Sequence, residues 1–239
     1  MNVYEKLNQI ISSASNVVFF GGAGVSTESG IPDFRSADGL YNTEYKYPPE
    51  TILSHDFFIS HTAEFYEFYR KKMIFLRAEP NACHIKLAEL EKKGILKAVV
   101  TQNIDGLHQK AGSEIVIELH GGVARNYCMA CGKKYGVEFI IECSGVPLCP
   151  CGGVVKPDVV LYGEALDENT VSEAIHYIKR ADVLIVGGTS LGVYPAAGLC
   201  RYFNGNATIL INKTRTYLDD DVDLVVRENI GEVFSKIIF

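Results

Sequence analysis

The stretch Gly21–Arg35, with the sequence GGAGVSTESGIPDFR, follows the apolar run Val17–Phe20. An apolar strand that runs into a Gly-x-Gly turn is typical of a dinucleotide-binding unit, because glycines let the backbone approach a pyrophosphate. The usual fingerprint has a third glycine, but Thr27 stands at that position and no helix-forming run follows. The stretch therefore predicts a nucleotide-binding loop after a buried strand, with a shape that differs from that of hydride-transfer enzymes.

Similar apolar, β-branched runs recur along the chain, and each ends in polar or glycine residues. Continuous apolar runs are typical of parallel strands that are buried on both faces. Helical patterns lie between them, which favours an α/β fold with a Rossmann-like, doubly wound parallel sheet. The predicted strands are 17–20, 97–101, 115–119, 182–186, 207–211 and 222–226, and the predicted helices are 81–93, 167–179, 196–203 and 231–238.

Two segments interrupt the alternation of strands and helices. Segment 36–79 is rich in Tyr and Phe, with a helical second half, and segment 124–155 carries Cys and Gly with little periodicity. We predict that these two insertions together form a smaller domain with a helical part and a zinc-binding module. The remaining ranges are predicted to form the discontinuous nucleotide-binding domain, namely 1–35, 80–123 and 156–239.

Composition and charge exclude several classes of protein. The formal net charge of −6 argues against nucleic-acid binding, which needs a basic surface. No apolar stretch approaches the roughly 20 residues that span a bilayer, and the N-terminus lacks the pattern of a signal peptide. A cytoplasmic protein without membrane contact is therefore expected. The seven cysteines then require a role other than disulfide bonding, because the cytosol keeps thiols reduced.

Four of the cysteines are spaced like metal ligands. Cys128 and Cys131 form a C-x2-C pair, and Cys149 and Cys151 follow as a C-x-C pair, one residue shorter than the common pattern. Four thiolates complete a tetrahedral zinc site, so the metal, one Zn²⁺ per chain, is expected to be structural. Cys143 is a rival ligand that can replace Cys149 or Cys151, and four unrelated buried cysteines are the alternative without metal.

Compact polar groups follow four of the predicted strands, at the edge where parallel α/β sheets bind ligands. Taken singly, each is more often an ordinary turn or a satisfied histidine, but their common position favours a site. Glycine-rich Gly187–Ser190 can approach a phosphate through its N–H groups, and His120 can act as a base near neutral pH. The groups are Gln102, Asn103 and Asp105 after one strand, His120 after the next, Gly187–Ser190, and Asn212.

Together these motifs resemble the sirtuins in sequence and in order, over essentially the whole chain. The sirtuins are NAD-dependent protein lysine deacylases, and the chain is most similar to their bacterial class U. The motifs are Gly22–Arg35, Thr101–His108, Glu118–Gly121, the four cysteines, Lys156–Glu164 and Gly188–Leu191.

The resemblance implies that NAD is consumed as a substrate. The acyl oxygen of an acetyl-lysine attacks the ribose carbon that carries nicotinamide, nicotinamide leaves and an alkylimidate forms. His120 then activates a ribose hydroxyl that attacks the imidate, which gives O-acetyl-ADP-ribose and free lysine. The oxocarbenium character of the cleavage requires that water be excluded and charge be placed carefully.

The resemblance also implies the residues of the site. His120, Asn103 and Asp105 are the expected catalytic residues. Phe34 is expected to cover the reacting ribose, although alone it would suit a core aromatic. An acetylated protein or peptide is expected to add as a strand between two segments, whose lining residues are Val159, Val160, Tyr162, Gly192 and Val193. The residues expected to bind NAD are Ala23, Thr27, Phe34, Arg35, Gln102, Ile104, Asp105, His120, Thr189, Ser190, Asn212 and Ile230.

One departure concerns the acyl group. Sirtuins that prefer succinyl or malonyl groups carry a Tyr-x-x-Arg pair, whereas here Tyr69 stands three residues after Tyr66, and Arg70 lies one position further. A shift of one residue turns a side chain about 100° round a helix, so neutral acyl groups such as acetyl are expected.

Two other functions use the same NAD site. A mono-ADP-ribosyltransferase would pass ADP-ribose to a protein, and a non-catalytic sensor would only bind NAD. An intact His120 and the apolar residues of the acyl-lysine channel favour deacetylation over ADP-ribosyl transfer, and Asn103, Asp105 and His120 together argue against a sensor.

Overall fold

A parallel six-stranded sheet forms the centre of the structure, a computed structural model that describes residues 2–34, 39–40 and 45–238. All six predicted strands form, and three further strands build a second sheet. The strands are β1 (Val17–Gly21), β2 (Leu96–Thr101), β3 (Val116–Glu118), β4 (Gly121–Cys128), β5 (Lys134–Tyr135), β6 (Val155–Val159), β7 (Val183–Gly187), β8 (Ala207–Ile211) and β9 (Leu224–Val226).

The strand order of the large sheet is β3-β2-β1-β7-β8-β9, and every neighbouring pair is parallel. The chain therefore builds outward from β1 in one direction and from β7 in the other. The strand order reverses between β1 and β7, and in sheets of this kind the ligand crevice lies at the carboxyl ends of the strands beside that reversal. The doubly wound α/β fold predicted from the sequence is confirmed.

Helices cover both faces of this sheet. Others pack with β4, β5 and β6 to form a smaller lobe. The helix predicted over 196–203 is a 3₁₀ helix, Ala196–Tyr202, in which Gly198 N–H donates to the oxygen of Pro195, three residues back. The described residues contain no helix with the length and apolarity needed to cross a membrane. The α-helices are α1 (Val3–Ser13), α2 (Pro49–Ile52), α3 (His55–Ser60), α4 (Thr62–Lys72), α5 (Ala82–Lys92), α6 (Leu107–Lys110), α7 (Val137–Glu142), α8 (Glu168–Arg180) and α9 (Ile230–Ser235).

Alternate residues of β1 face two different cores. Val17 and Phe19 pack in a cluster with residues of α1, α5 and α9, while Val18 and Phe20 pack in a second cluster with residues of α8. Both faces of the central strand are thus apolar, which explains why its sequence is a continuous apolar run. Helix α1 was not predicted, although Asn2 and Glu5 form a capping box at its start.

The smaller lobe combines an antiparallel sheet, in the order β5-β4-β6, with helices α2–α4 and α7. The helical second half of 36–79 is confirmed by α2, α3 and α4. Strands β4 and β6 extend across the boundaries expected at 123/124 and 155/156. The division into two domains at those positions stays a prediction.

Candidate functional site

A cavity of about 830 Å³ lies at the carboxyl ends of the central strands. Its lining comes from the opening loop (residues 22–34), from the residues that follow β2, β3, β7 and β8, and from the segment that follows β6. Among the expected site residues, Gly192 is outside this lining, and Arg35 lies outside the described residues. The expected residues that do line the cavity are Ala23, Thr27, Phe34, Gln102, Asn103, Ile104, Asp105, His120, Val159, Val160, Tyr162, Thr189, Ser190, Val193, Asn212 and Ile230.

The opening loop forms two 3₁₀ turns, Ala23–Val25 and Thr27–Ser29, where a dinucleotide fingerprint would continue into an α-helix. Gly24 N–H donates to the oxygen of Gly188 at 2.7 Å, and a Cβ on Gly24 would lie only 2.8 Å from that oxygen. The close approach requires glycine at position 24. Thr27 Oγ1 donates to the oxygen of Gly24 at 3.0 Å, so the residue that replaces the third glycine closes the first turn.

Three polar side chains form a network beneath the opening loop. Ser26 Oγ donates to Asp105 Oδ2 at 2.6 Å and accepts from Asn103 Nδ2 at 3.1 Å. Asp105 Oδ1 accepts from Leu107 N–H at 2.9 Å, at the start of α6. The predicted pair Asn103 and Asp105 is therefore brought together and fixed by Ser26, which the sequence analysis missed. Serine is common in glycine-rich loops, so its presence at position 26 did not by itself indicate a functional role.

His120 follows β3 and points one ring nitrogen at the backbone. Its Nδ1 lies 2.9 Å from the oxygen of Gln102, and because a carbonyl oxygen only accepts, Nδ1 carries the proton. Nε2 is then left with the lone pair and is the basic atom. Burial lowers the pKa of His120, against the opposing effect of the Gln102 oxygen, so the imidazole is neutral at pH 7.

The groups after β7 and β8 form another part of the wall. Gln102 Nε2 donates to Thr189 Oγ1 at 3.1 Å, which joins the ends of β2 and β7 across β1. Thr189 Oγ1 also accepts from Leu191 N–H at 3.1 Å. Asn212 Nδ2 donates to the oxygen of Thr214 at 3.0 Å. These contacts hold hydroxyl and amide groups along the cavity, where they can bind the polar parts of a nucleotide.

The segment after β6 lies against both His120 and the helical insertion. Val160 N–H donates to the oxygen of His120 at 3.0 Å, and Tyr162 N–H donates to the oxygen of Leu53 at 3.0 Å. Gly121, the first residue of β4, has a φ of +72°, and a Cβ there would overlap the carbonyl of Asp158. The position directly after His120 therefore requires glycine.

Phe34 and the last turn of α4 lie at one side of the cavity. Phe34 lines the cavity and also packs against the core of the smaller lobe. Arg70 donates through Nε to the oxygen of Ile140 at 2.7 Å and does not line the cavity. Tyr69 and Lys72 do line it. Arg70 therefore contacts α7 and not the cavity.

The four expected zinc ligands converge in the smaller lobe. The Sγ atoms of Cys128, Cys131, Cys149 and Cys151 all lie within 4.8 Å of one another. Cys128 Sγ lies 3.5 Å from Cys151 Sγ, and Cys131 Sγ lies 3.7 Å from Cys149 Sγ. Sulfurs bound to one tetrahedral zinc at about 2.3 Å lie about 3.8 Å apart, so the donor set fits that ion.

Cys143 is not part of this cluster of the described residues. It ends α7, where its N–H donates to the oxygen of Phe139. The shortened C-x-C pair is accommodated by the turn after it, because Gly152 has a φ of +87° and its N–H donates to the oxygen of Cys149 at 2.8 Å. The ligand set 128, 131, 149 and 151 is therefore the one that the geometry favours over a set containing Cys143.

Comparison with known proteins agrees with this site. The model of the Sir2 family matches residues 22–195. A Clostridium acetobutylicum protein named NAD-dependent protein deacetylase is 58% identical over 98% of this chain and 97% of its own length. A solved Sir2 structure with deacetylated p53 peptide and 3′-O-acetyl ADP ribose is 42% identical, with a TM-score of 0.91 over 98% of this chain and 97% of that one.

A second solved structure, of Sir2 with p53 peptide and NAD⁺, is 41% identical with a TM-score of 0.86, over 99% of this chain and 97% of that one. The sequence identity and the fold agree over nearly the full length, and the family model covers residues 22–195. The chain is a member of the Sir2 family.

Proposed function

We propose that the protein is an NAD-dependent protein lysine deacetylase, which converts NAD, water and an acetyl-lysine into nicotinamide, O-acetyl-ADP-ribose and free lysine. The observation that carries the proposal is the position of His120. Its ring is oriented by the backbone oxygen of Gln102, one of the polar residues that follow β2. Its own backbone oxygen accepts from Val160, in the segment expected to receive the acyl-lysine. A base that lies between the nucleotide-binding loop and the peptide-binding segment suits transfer of an acetyl group from a bound lysine to the ribose of a bound nucleotide.

The cavity fits a dinucleotide. The opening loop approaches Gly188 so closely that a Cβ on Gly24 would lie 2.8 Å from its oxygen, so the cavity wall at Gly24 and Gly188 is built from backbone without side chains. Bound NAD supplies the glycosidic bond that breaks and the ribose that accepts the acetyl group. The residues proposed to hold it are Ala23, Thr27, Phe34, Arg35, Gln102, Ile104, Asp105, His120, Thr189, Ser190, Asn212 and Ile230.

The chain's own groups account for the remaining chemistry. Nε2 of His120 takes a proton from a ribose hydroxyl, because Nδ1–H is already donated to Gln102. Asn103 and Asp105 are held by Ser26 beside the nucleotide loop, where they can orient polar groups of the ribose and of nicotinamide. Phe34 adds an apolar wall that keeps water from the reacting carbon.

The zinc site is proposed to be structural. Cys128, Cys131, Cys149 and Cys151 supply four sulfurs, which leave no coordination position for a substrate. An ion at this point would tie the ends of β4 and β6 together and stabilise a module with a small core.

Acetylated proteins or peptides are the proposed partners. Segment 159–162 and segment 192–193 are proposed to receive an extended peptide by strand addition, with main-chain hydrogen bonds providing affinity. The cytoplasm is the proposed location. All seven cysteines lie in the described residues without forming a disulfide, which suits a reducing compartment.

The test is to incubate the purified protein with NAD and an acetyl-lysine peptide and to follow all products by mass spectrometry. Deacetylated peptide together with O-acetyl-ADP-ribose is the expected result. ADP-ribosylated protein without deacetylation would identify a transferase instead, and NAD binding without nicotinamide release would identify a sensor.

A further inference from the structure

Lys156 is buried directly beneath the segment that follows β6. Only 4% of its surface is exposed, and its Nζ lies 3.0 Å from the oxygen of Val159 and 3.1 Å from Glu164 Oε2. A buried ammonium is costly unless it is paired and hydrogen-bonded. Lys156 therefore binds the two ends of the turn 159–164 through one cation.

Glu164 extends this contact in two directions. Its Oε2 also accepts from Leu161 N–H at 2.9 Å, and its Oε1 lies 2.8 Å from His55 Nδ1, at the start of α3. Burial raises the pKa of Glu164, but the Leu161 N–H, His55 and Lys156 together outweigh it and hold this pKa below the ordinary value. The carboxylate is thus ionised at neutral pH and joins the turn to the helical insertion.

The backbone of the turn makes contacts at the same places. His55 N–H donates to the oxygen of Tyr162 at 2.9 Å, next to the bond between Tyr162 N–H and Leu53. On the other side, Val160 N–H donates to the oxygen of His120. The turn lines the cavity, and beyond Val159, the last residue of β6, these few bonds hold its backbone.

We propose that the Lys156–Glu164 pair and its link to His55 are positioning groups, which fix the turn 159–164 in the shape that receives the acyl-lysine segment. The inference rests on the proposed function, because it assigns these residues to peptide binding in the same site. The three residues act through the backbone of Val159–Tyr162. Their effect is therefore expected on the peptide and not on NAD.

The first experiment compares Michaelis constants for the two substrates. Glu164→Gln keeps the size and one acceptor oxygen but removes the charge, and weakening of these partly buried, charged hydrogen bonds predicts a rise of about tenfold in KM for an acetyl-lysine peptide. KM for NAD should change less than about twofold. The matched control is Glu79→Gln, which breaks an exposed ion pair with Lys110 and should leave both constants unchanged.

A double variant separates positioning from simple charge balance. Lys156→Met with Glu164→Gln removes both charges, so its melting temperature should recover toward that of the wild type. If the pair positions the turn, KM for the peptide stays high in the double variant. Recovery of both properties, an unchanged KM in Glu164→Gln, or an equal rise for NAD would each overturn the proposal.

Hydrogen–deuterium exchange tests the proposal without enzymatic activity. The amides of 160–164 should exchange faster in Glu164→Gln than in the wild type, while those of β7 should not change. Equal exchange in the turn would contradict the positioning role. If the wild type fails to deacetylate any peptide, the proposed function fails, yet the exchange result still decides whether these residues hold the turn.

Discussion

The main-chain nitrogen of Val160 donates to the main-chain oxygen of His120 at 3.0 Å, so the segment after β6 is bonded directly to the residue that carries the base. His120 is held on its other side by Gln102, which belongs to the polar residues after β2. His120 therefore has fixed contacts with two parts of the cavity lining, the residues after β2 and the segment after β6. A change in either part is transmitted to the geometry of the imidazole.

Replacement of His120 should separate binding from chemistry. His120→Ala removes the base, and loss of general base catalysis predicts a fall in kcat for deacetylation of about 10²- to 10⁴-fold. NAD binding, measured by calorimetry, should remain within a few-fold of the wild type, because His120 is one of many residues proposed to hold NAD. Unchanged turnover in this variant would refute the assigned role.

The pH dependence of deacetylation should reflect the buried position of His120. Burial lowers its pKa from the ordinary value of 6.5, and the neutral form is the active base. Activity should therefore persist as the pH falls to 6.5 and be lost at lower pH, as Nε2 becomes protonated. Measurement of kcat/KM from pH 5 to pH 8, with the fold monitored by circular dichroism, checks this. A midpoint above 6.5 would contradict the proposed environment of the ring.

Ser26 should matter more than its place in a loop suggests. Ser26→Ala leaves Asn103 and Asp105 without their shared partner, and loss of hydrogen bonds at buried groups costs about 1–3 kcal/mol. We expect weaker NAD binding and a slower release of nicotinamide. Ser60→Ala is the matched control, since its hydroxyl is exposed and bonds only within or next to α3. Equal behaviour of the two variants would exclude a role for the network.

Much of the fold was predictable because it depends on local patterns. The apolar runs of β1 and β7 identified the buried strands, and the polar residues that follow them marked the edge where the cavity lies. Ser26 was not predictable, because its importance comes from Asp105, which is 79 positions away in the chain. The contact of His55 with Glu164 spans 109 positions and left no pattern in the sequence either.

Zinc content should distinguish the ligands from their rival. Cys131→Ser removes one of four converging sulfurs, so bound zinc should fall well below one per chain and the melting temperature should decrease. Cys143→Ser should retain zinc near one per chain, because Cys143 lies outside the cluster. Elemental analysis of both purified variants gives the result. Loss of zinc from Cys143→Ser would mean that the ligand set is wrong.

The opening loop should not tolerate a side chain at Gly24. In Gly24→Ala the new Cβ would lie 2.8 Å from the oxygen of Gly188, and overpacking of this kind costs about 1–3 kcal/mol. The loop must move away from β7, so we expect weaker NAD binding with little change in zinc content. Gly145→Ala is a comparison at a glycine with open space around it and a positive φ. NAD affinity equal to the wild type in Gly24→Ala would contradict the close approach.

The shape of the opening loop illustrates what the sequence indicates and where it stops. The missing third glycine predicted a loop without a following helix, and Thr27 does close a 3₁₀ turn. The distance between Gly24 and Gly188 was not predictable, since it depends on the pairing of β1 with β7. The 3₁₀ form of Ala196–Tyr202 was likewise missed, because its apolar pattern is compatible with an α-helix.

The most direct test of the account measures nicotinamide and deacetylated peptide in the same reaction, with and without NAD. We predict that the two products appear in equal amounts, that neither forms when NAD is left out, and that nicotinamide release depends on the acetylated peptide. Deacetylation without NAD, or nicotinamide release accompanied by ADP-ribosylated protein and an intact acetyl group, would contradict the proposed function.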